Sequence, residues 1–203
     1  MLQFEKPVYK ITDSVESNFY GKFELEPLER GFGNTIGNAL RRVMLSSLPG
    51  SAISSIKIDG VLHEFQTIDG VYEDVATIIL NLKGVVIKNH TNGPKTLHLN
   101  ATEEGEVTAG DIESDPDVEI INKDKVIATL SKGGKLNMEI VVTNGRGYVD
   151  SEINKKLLDI KKPGVIAIDS SYSPIERVSY EVEPARVGQD ETYDKLVLEV
   201  WTN

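Results

Sequence analysis

The sequence of 203 residues contains no cysteine, which excludes disulfides, thiolate zinc sites and cysteine nucleophiles together. Histidine is also scarce, so a histidine-based metal site or catalytic triad would need nearly all three of them. No apolar run approaches the roughly 18 residues of a membrane-spanning helix, and the opening residues carry no signal-peptide pattern. Because a chain without cysteine suits a reducing compartment, we expect a cytoplasmic protein without a membrane segment.

Acidic residues outnumber basic ones by 32 to 22, and this net charge of −10 excludes binding to a phosphate backbone by charge alone. The range Glu103–Asp124 holds nine acids against one base, Lys123, and supplies −8 of the −10. The first fifty residues carry six acids and six bases. This difference in charge predicts a boundary near Pro49.

Most of the remaining sequence alternates apolar and polar residues with a period of two, which is typical of strands with one solvated face. Turn residues such as Asn144-Gly145 and Pro163-Gly164 separate these segments and favour antiparallel connections. The segments are Phe23/Leu25, Ile56/Ile58, Leu97/Leu99, Val126/Ala128/Leu130, Leu136 to Val142, Val178/Tyr180/Val182 and Leu196/Leu198/Val200.

Helical spacing is convincing in two segments. The first predicted helix runs from Thr35 to Leu48 and stops before a Pro-Gly pair. The second runs from Val71 to Lys83, has Gly84 at its C-terminal cap and carries one apolar stripe that faces a core. Two helices among many strands predict an α+β fold.

The first predicted helix has two dissimilar faces. On the second face an aliphatic side chain lies among two guanidinium groups and an amide, a composition that suits a protein interface. The alternative is that Leu45 is one of the isolated leucines found on every protein surface and that the arginines are solvated. The first face packs either inward or against another copy of the chain. Its members are Ile36, Ala39, Leu40, Val43, Met44 and Ser47, and those of the second face are Asn38, Arg41, Arg42 and Leu45.

Three glycines at the start of the first helix, Gly31, Gly33 and Gly37, leave open a stand-alone anion- or nucleotide-binding protein, because glycines let a backbone approach a phosphate at a helix N-terminus. Their spacing matches neither the dinucleotide-binding nor the P-loop motif. A backbone with positive φ, or one that approaches a neighbouring element closely, explains the glycines equally well.

The acidic segment leaves open a third class, an enzyme that uses clustered carboxylates to hold Mg²⁺ or Ca²⁺. Asp111, Asp115 and Asp117 do not fit a calcium-binding loop, and an acidic face that keeps strand edges unpaired is the simpler interpretation. No other motif resembles an active site. The residues therefore favour a binding or assembly module.

Several collinear segments closely resemble the N-terminal domain of the α subunit of bacterial DNA-directed RNA polymerase. The resemblance begins with LEPLERGFGNTIGNALRRVMLSSLPG from Leu25 and IKIDGVLHEF from Ile56. It continues with GRGYV from Gly145, DSSYSPIERVSYEVEPARVG from Asp169 and DKLVLEVWTN at the end. The matches cover the whole chain in order, which makes the resemblance specific.

The resemblance implies an α+β domain of two subdomains. Residues 1–48 and 173–203 would form the subdomain that dimerises, and residues 49–172 would form a β-rich insert. In the family, two α copies form the platform on which the β and β′ subunits assemble for transcription, and the catalytic magnesium lies in β′. We therefore expect a homodimer that belongs to a nucleotidyltransferase complex and has no catalytic residue, metal or cofactor of its own.

The resemblance also assigns roles to particular residues. The first face of the first helix would form the dimer interface. Lys83 and Ile168 would face β′, and the GRGYV motif has no assigned role beyond a tight turn. The residues expected to face β are Arg42 and Leu45, supported by Asn38 and Arg41, and more weakly Glu29 and Arg30.

One departure from the family pattern concerns the end of the sequence. Family members continue past Thr202-Asn203 into a further helix that completes the dimer interface, a linker and a C-terminal domain that binds promoter DNA. We therefore expect no direct DNA binding by this chain, and a dimer weaker than that of the family.

Overall fold

Antiparallel strands dominate the computed structural model, which describes residues 6–159, 162–188 and 190–203. The helices are α1 (Phe32–Ser46), α2 (Val75–Lys83) and α3 (Ser151–Leu157). The strands are β1 (Val8–Val15), β2 (Tyr20–Leu28), β3 (Pro49–Ile58), β4 (Ile87–Asn89), β5 (Lys95–Ala101), β6 (Gly105–Thr108), β7 (Val118–Ile120), β8 (Val126–Leu130), β9 (Leu136–Arg146), β10 (Tyr148–Val149), β11 (Val165–Ala167), β12 (Ser170–Ser171), β13 (Ile175–Val187) and β14 (Asp190–Thr202). The chain divides into two units, Met1–Leu48 with Ser173–Asn203, and Pro49–Tyr172. This architecture confirms the predicted α+β class.

The first unit is a four-stranded antiparallel sheet with the order β1-β2-β14-β13, with α1 packed on it. Strand β14 from the end of the chain pairs with β2 from its beginning, for example Leu198 opposite Phe23. The two chain ends share one unit because a central strand of the sheet comes from each.

Helix α1 packs closely on β13 and β14 because glycines face the sheet. A Cβ atom added to Gly37 would lie 2.5 Å from Tyr180 Cδ2 and 2.9 Å from Leu196 Cδ1, and one added to Gly33 would lie 2.7 Å from Val182 Cγ1. Such distances are shorter than real Cβ contacts, so larger residues would push the helix away from the sheet. The two glycines therefore set the distance between helix and sheet.

The second unit is built around the sheet β11-β3-β9-β5, with three two-stranded pairs, β4–β7, β6–β8 and β10–β12. Its hydrophobic core includes the fully buried side chains of Ile56, Leu99 and Ile140. Burial of each such side chain stabilises the unit by roughly 1.5–3 kcal/mol. The buried side chains of this core that the structure describes all belong to the second unit.

Helix α2 supplies one side of that core, as its apolar stripe predicts. Val75, Ile78, Ile79 and Leu82 are buried. The helix begins at Val75 rather than Val71, because the carboxylate of Asp74 accepts the amide hydrogen of Thr77 and caps the N-terminus (2.8 Å). Side-chain hydrogen bonding to Thr77 also lowers the pKa of Asp74.

The prediction of two helices missed α3. Asp150 caps this seven-residue helix by accepting the amide hydrogen of Glu152 (2.8 Å). Its longest apolar side chains, Ile153 and Leu157, are half or more exposed, whereas the polar Asn154 is buried and donates to the carbonyl of Ile168 (2.7 Å). A hydropathy pattern cannot detect a helix that buries its amide and exposes its aliphatic residues.

We predict that Gly37→Ala destabilises the protein by about 1–3 kcal/mol, the usual cost of overpacking, although alanine favours helices. Urea unfolding monitored by circular dichroism measures this change. Gly93→Ala is the control, because a Cβ at Gly93 meets nothing within 4 Å. Equal stability of Gly37→Ala and the wild type would contradict the close helix–sheet contact.

Candidate protein interaction surfaces

The side of α1 that faces away from the sheet carries an apolar stripe, which we call the outer stripe. Phe32 and Val43 are each 52% exposed, and Leu40 is 38% exposed. Ala39 is also exposed and Ile36 is half-buried. Contiguous apolar side chains on a helix surface are typical of a protein interaction site. The outer stripe consists of Phe32, Ile36, Ala39, Leu40 and Val43.

The outer stripe contains most of the face predicted to pack inward or against another copy. Packing inward is wrong for Ala39, Leu40, Val43 and Ser47, which are exposed. Met44 does pack against the core of its own unit. Contact with another copy stays a prediction for the exposed residues.

Phe32 belongs to the outer stripe but is missing from the prediction, because the predicted helix began at Thr35 and the observed one begins at Phe32. The signal that could have found it is the spacing of 32, 36, 39 and 43, which places these residues on one helix face.

A polar surface lies beside the outer stripe. Asn38 and Arg42 are exposed on α1, and Glu29 and Arg30 are exposed in the segment that precedes it. All four are therefore accessible to a partner, as a role at the predicted β interface requires.

Two other residues of the predicted β interface contact the sheet of their own unit. The Nε of Arg41 donates to the carbonyl of Val178 in β13 (3.3 Å). Leu45 is half-buried and packs against the cluster that contains Val178 and Val200. The outward placement is thus wrong for Leu45, because a glycine face lies toward the sheet and brings Leu45 with it. Arg41 remains exposed beside its hydrogen bond to β13, so its place at the β interface stays a prediction.

The N-terminus of α1 is occupied by a carboxylate of the same unit. Gly31 has φ +88°, and its amide donates to Asp194 Oδ2 (2.8 Å), which also accepts from the amide of Gly33 (3.3 Å). A carboxylate favours this position because of the helix dipole. Two of the amides that an anion would need at this position are therefore already paired.

Lys83 and Ile168, the residues expected to face β′, have different environments. Lys83 ends α2 and its Nζ pairs with Asp169 Oδ2 at 2.7 Å. Ile168 is 2% exposed within the core of the second unit. Its burial corrects the expectation that its side chain meets a partner, whereas the adjacent Asp169 lies at the surface.

Asp169 also accepts a hydrogen bond from the hydroxyl of Tyr148 (3.0 Å), a side chain that is 66% exposed. The hydrogen bond from Lys83, together with smaller contributions, lowers the pKa of Asp169. The hydrogen bond to Asp169 raises the pKa of Tyr148. The three side chains therefore form one charged and aromatic cluster.

Several carboxylates of the acidic segment have partners within the fold. Asp117 and Asp115 pair with Lys95, and hydrogen bonding to Asp117 raises the pKa of that lysine. Asp111 accepts from the amide of Thr108 (2.7 Å). Among the described residues, no group of three or more His, Cys, Asp or Glu side chains could hold a metal ion. The segment thus supplies caps and ion pairs.

The solvent side of the first sheet carries an aromatic cluster that the sequence patterns did not indicate. The guanidinium carbon of Arg177 lies 4.5 Å from the ring centre of Trp201, which lies 5.1 Å from that of Tyr20. The Tyr20 hydroxyl donates to Glu199 Oε1 (2.7 Å), and this bond is the main cause that raises the pKa of Tyr20 to about 12. These contacts link β2, β13 and β14.

Within the described part of the chain, no helix has both the length and the apolar character that crossing a membrane requires.

Residues 56–173 match the family model described as the RNA polymerase Rpb3/RpoA insert domain. This range covers more than half of the chain and lies almost wholly in the second unit.

Curated relatives extend the similarity over the full sequence. The chain is 59% identical over 203 residues to the DNA-directed RNA polymerase subunit alpha of Desulforamulus reducens. It is 58% identical to the subunit of that name in Symbiobacterium thermophilum and 56% identical to that in Clostridium perfringens. Each comparison covers 100% of this chain and 64% of the relative, so the chain spans less than two thirds of their length.

We predict that Leu45→Ala lowers the free energy of unfolding by about 1–3 kcal/mol, because the half-buried leucine packs against the core of the first unit. Arg42→Ala should change it by less than about 0.5 kcal/mol, because its side chain is exposed. Urea unfolding of both variants checks the assignment. Equal losses of unfolding free energy in the two variants would contradict the orientation of α1.

Proposed function

Because the chain belongs to the family with the RNA polymerase Rpb3/RpoA insert domain and matches bacterial α subunits along its whole length, we propose that it is a non-catalytic assembly subunit of DNA-directed RNA polymerase. In this role two copies pair through α1 and provide the platform for the β and β′ subunits. The observation that carries the proposal is the apolar outer stripe on α1, exposed beside the polar side chains of Asn38 and Arg42.

The outer stripe supports pairing with a second copy. Its side chains project from a helix that the sheet already holds on its opposite face through Gly33 and Gly37. An interface between identical chains brings the same patch of both together, so an apolar stripe on a rigid helix is self-complementary. Water exclusion from Phe32, Leu40 and Val43 would supply the driving force.

The adjacent polar surface supports contact with β. Arg42 is exposed on the side of α1 next to the outer stripe, with Asn38 one turn earlier. An arginine at the edge of an apolar patch is a frequent hot-spot arrangement, because its planar guanidinium can make several hydrogen bonds once water is excluded. Arg41 is exposed as well and would support this contact, whereas Leu45 would act indirectly, since it packs α1 against its sheet.

We propose that this chain contributes neither a catalytic residue nor a cofactor to the complex, and that nucleotide transfer takes place in a partner subunit. The carboxylates considered as metal ligands pair with Lys95 or cap a turn, and the amides of Gly31 and Gly33 bind Asp194. These pairings favour assembly over the two alternatives, an anion-binding protein and a metal-dependent enzyme.

We predict that Val43→Asp weakens self-association at least about 100-fold, because an unpaired carboxylate would be buried between two copies. Sedimentation equilibrium at several concentrations measures the dissociation constant. Leu80→Asp is the control, an equivalent change of an exposed aliphatic residue (65%) on α2. A dimer of Val43→Asp as tight as that of the control would contradict pairing through the outer stripe.

We further predict that Arg42→Ala weakens binding of β by about 2–5 kcal/mol if the arginine is paired in the interface. The measurement is co-purification of the chain with β, followed by titration of labelled β. Arg146→Ala, which removes an exposed arginine of the second unit, serves as the control. Unchanged assembly of Arg42→Ala would remove this residue from the interface, while loss of assembly in both variants would indicate a nonspecific charge effect.

A further inference from the structure

Three segments of the second unit meet at the surface cluster formed by Lys83, Tyr148 and Asp169. Lys83 is the last residue of α2, Tyr148 lies in β10, and Asp169 lies between β11 and β12. Asp169 Oδ2 accepts from the Lys83 ammonium (2.7 Å) and from the Tyr148 hydroxyl (3.0 Å). One carboxylate oxygen therefore joins residues far apart in the sequence.

We infer that Asp169 and Tyr148 are positioning residues, which fix the Lys83 ammonium and the Tyr148 ring as a preformed contact for the second large subunit. This inference rests on the proposed function, in which Lys83 faces β′. The chemistry of the matching surface follows from the cluster. A carboxylate or carbonyl oxygen of the partner would accept from Lys83, and an apolar side chain would pack on the tyrosine ring.

The ammonium of Lys83 has N–H donors left over for a partner. An ammonium has three donors, and Asp169 is the one acceptor that the described contacts of Lys83 include. The lysine side chain is 31% exposed, so its head remains accessible beside Asp169. A free lysine loses much rotamer entropy when it binds, and an anchored one loses less, which favours association.

The GRGYV motif explains the position of Tyr148. A Cβ added to Gly145 would lie 2.7 Å from the Tyr172 ring, so glycine is needed there for the close approach. Gly147 has φ +62°, and its carbonyl accepts from the amide of Tyr172 (2.8 Å). These contacts hold β10 against β12, with Tyr148 opposite Ser171. The motif thus does more than form a turn, because it brings the tyrosine hydroxyl to Asp169.

A partly exposed ion pair usually contributes little to folding, so stabilisation of the fold does not by itself account for this cluster. The hydrogen bond from Lys83 and smaller causes lower the pKa of Asp169, so the carboxylate stays charged at neutral pH and keeps both donors. At the same time 66% of the Tyr148 side chain remains exposed although its hydroxyl is anchored. Tyr148 thus differs from an ordinary surface tyrosine, because its ring is exposed while its hydroxyl is held by a hydrogen bond.

The test is a titration of labelled β′ onto the preassembled complex of β with two full-length α subunits that carry the substitutions. We expect Lys83→Ala to weaken binding about tenfold, and Asp169→Asn and Tyr148→Phe to weaken it about three- to tenfold each. The double variant Lys83→Ala/Asp169→Asn should bind within about twofold of Lys83→Ala, because residues that act through one contact are not additive.

A charge swap distinguishes two roles of the ion pair, namely orienting the Lys83 ammonium for a partner and only stabilising the fold. Lys83→Asp/Asp169→Lys keeps an ion pair but moves the ammonium to position 169, so binding of β′ should stay weak. Binding restored to the wild-type level would mean that the pair only stabilises the fold, and it would overturn the inference. Lys57→Ala and Glu139→Gln are matched controls, because they break an exposed pair of the same unit (3.3 Å), and both should bind as the wild type does.

The outcomes distinguish the inference from the proposed function. Failure of wild-type α to join β and β′ would refute the proposed function. If Lys83→Ala binds β′ with wild-type affinity, Lys83 does not contact β′ and the inference fails. If Lys83→Ala binds β′ more weakly but Asp169→Asn and Tyr148→Phe bind it with wild-type affinity, the inference fails while the proposed function stands. Tyr148→Phe removes a single exposed oxygen, so it tests the positioning role even if an Asp169 variant fails to fold.

Discussion

The close contact of α1 with its sheet is the constraint on which the surface of the first unit depends. Gly33 and Gly37 let the helix backbone approach β13 and β14, and no larger residue fits there without moving a neighbour. The buried side of the helix consists of these glycines together with Met44 and Leu45, so its other apolar side chains lie on the exposed side. The exposure of Phe32 and Val43 is therefore a consequence of how the helix packs. The same contact determines which side of α1 is available to a partner.

Carboxylates contribute to this protein mainly through fixed pairings within the fold. Asp194 binds two amides at the start of α1, and Asp74 caps α2. Asp117 pairs with Lys95, and Asp169 joins a lysine to a tyrosine. A sequence pattern presents such residues as candidates for metal or anion chemistry. Their hydrogen-bond partners, which lie far away in the sequence, decide that they organise the chain instead.

Periodicity predicted the longest elements and missed the shortest ones. Strands β9, β13 and β14 each span eleven or more residues, so alternation identifies them. Strands β10 and β12 have two residues each, which is too few for a period, and α3 buries a polar residue. The hydropathy wheel left open whether the first face of α1 packs inward and placed Leu45 on the outward face, because it gives glycine no weight, although Gly33 and Gly37 lie against the sheet.

The sequence by itself determined the α+β class, the family and the chemistry available, because these depend on composition, on local period and on collinear motifs. It also identified Arg42 as an exposed candidate, through local helix geometry. Only the tertiary structure decided that Leu45 and Ile168 pack against cores, and that Asp169 holds Lys83 and Tyr148 together. These facts depend on contacts between residues distant in the sequence, and no local pattern encodes the distance between a helix and the sheet beneath it.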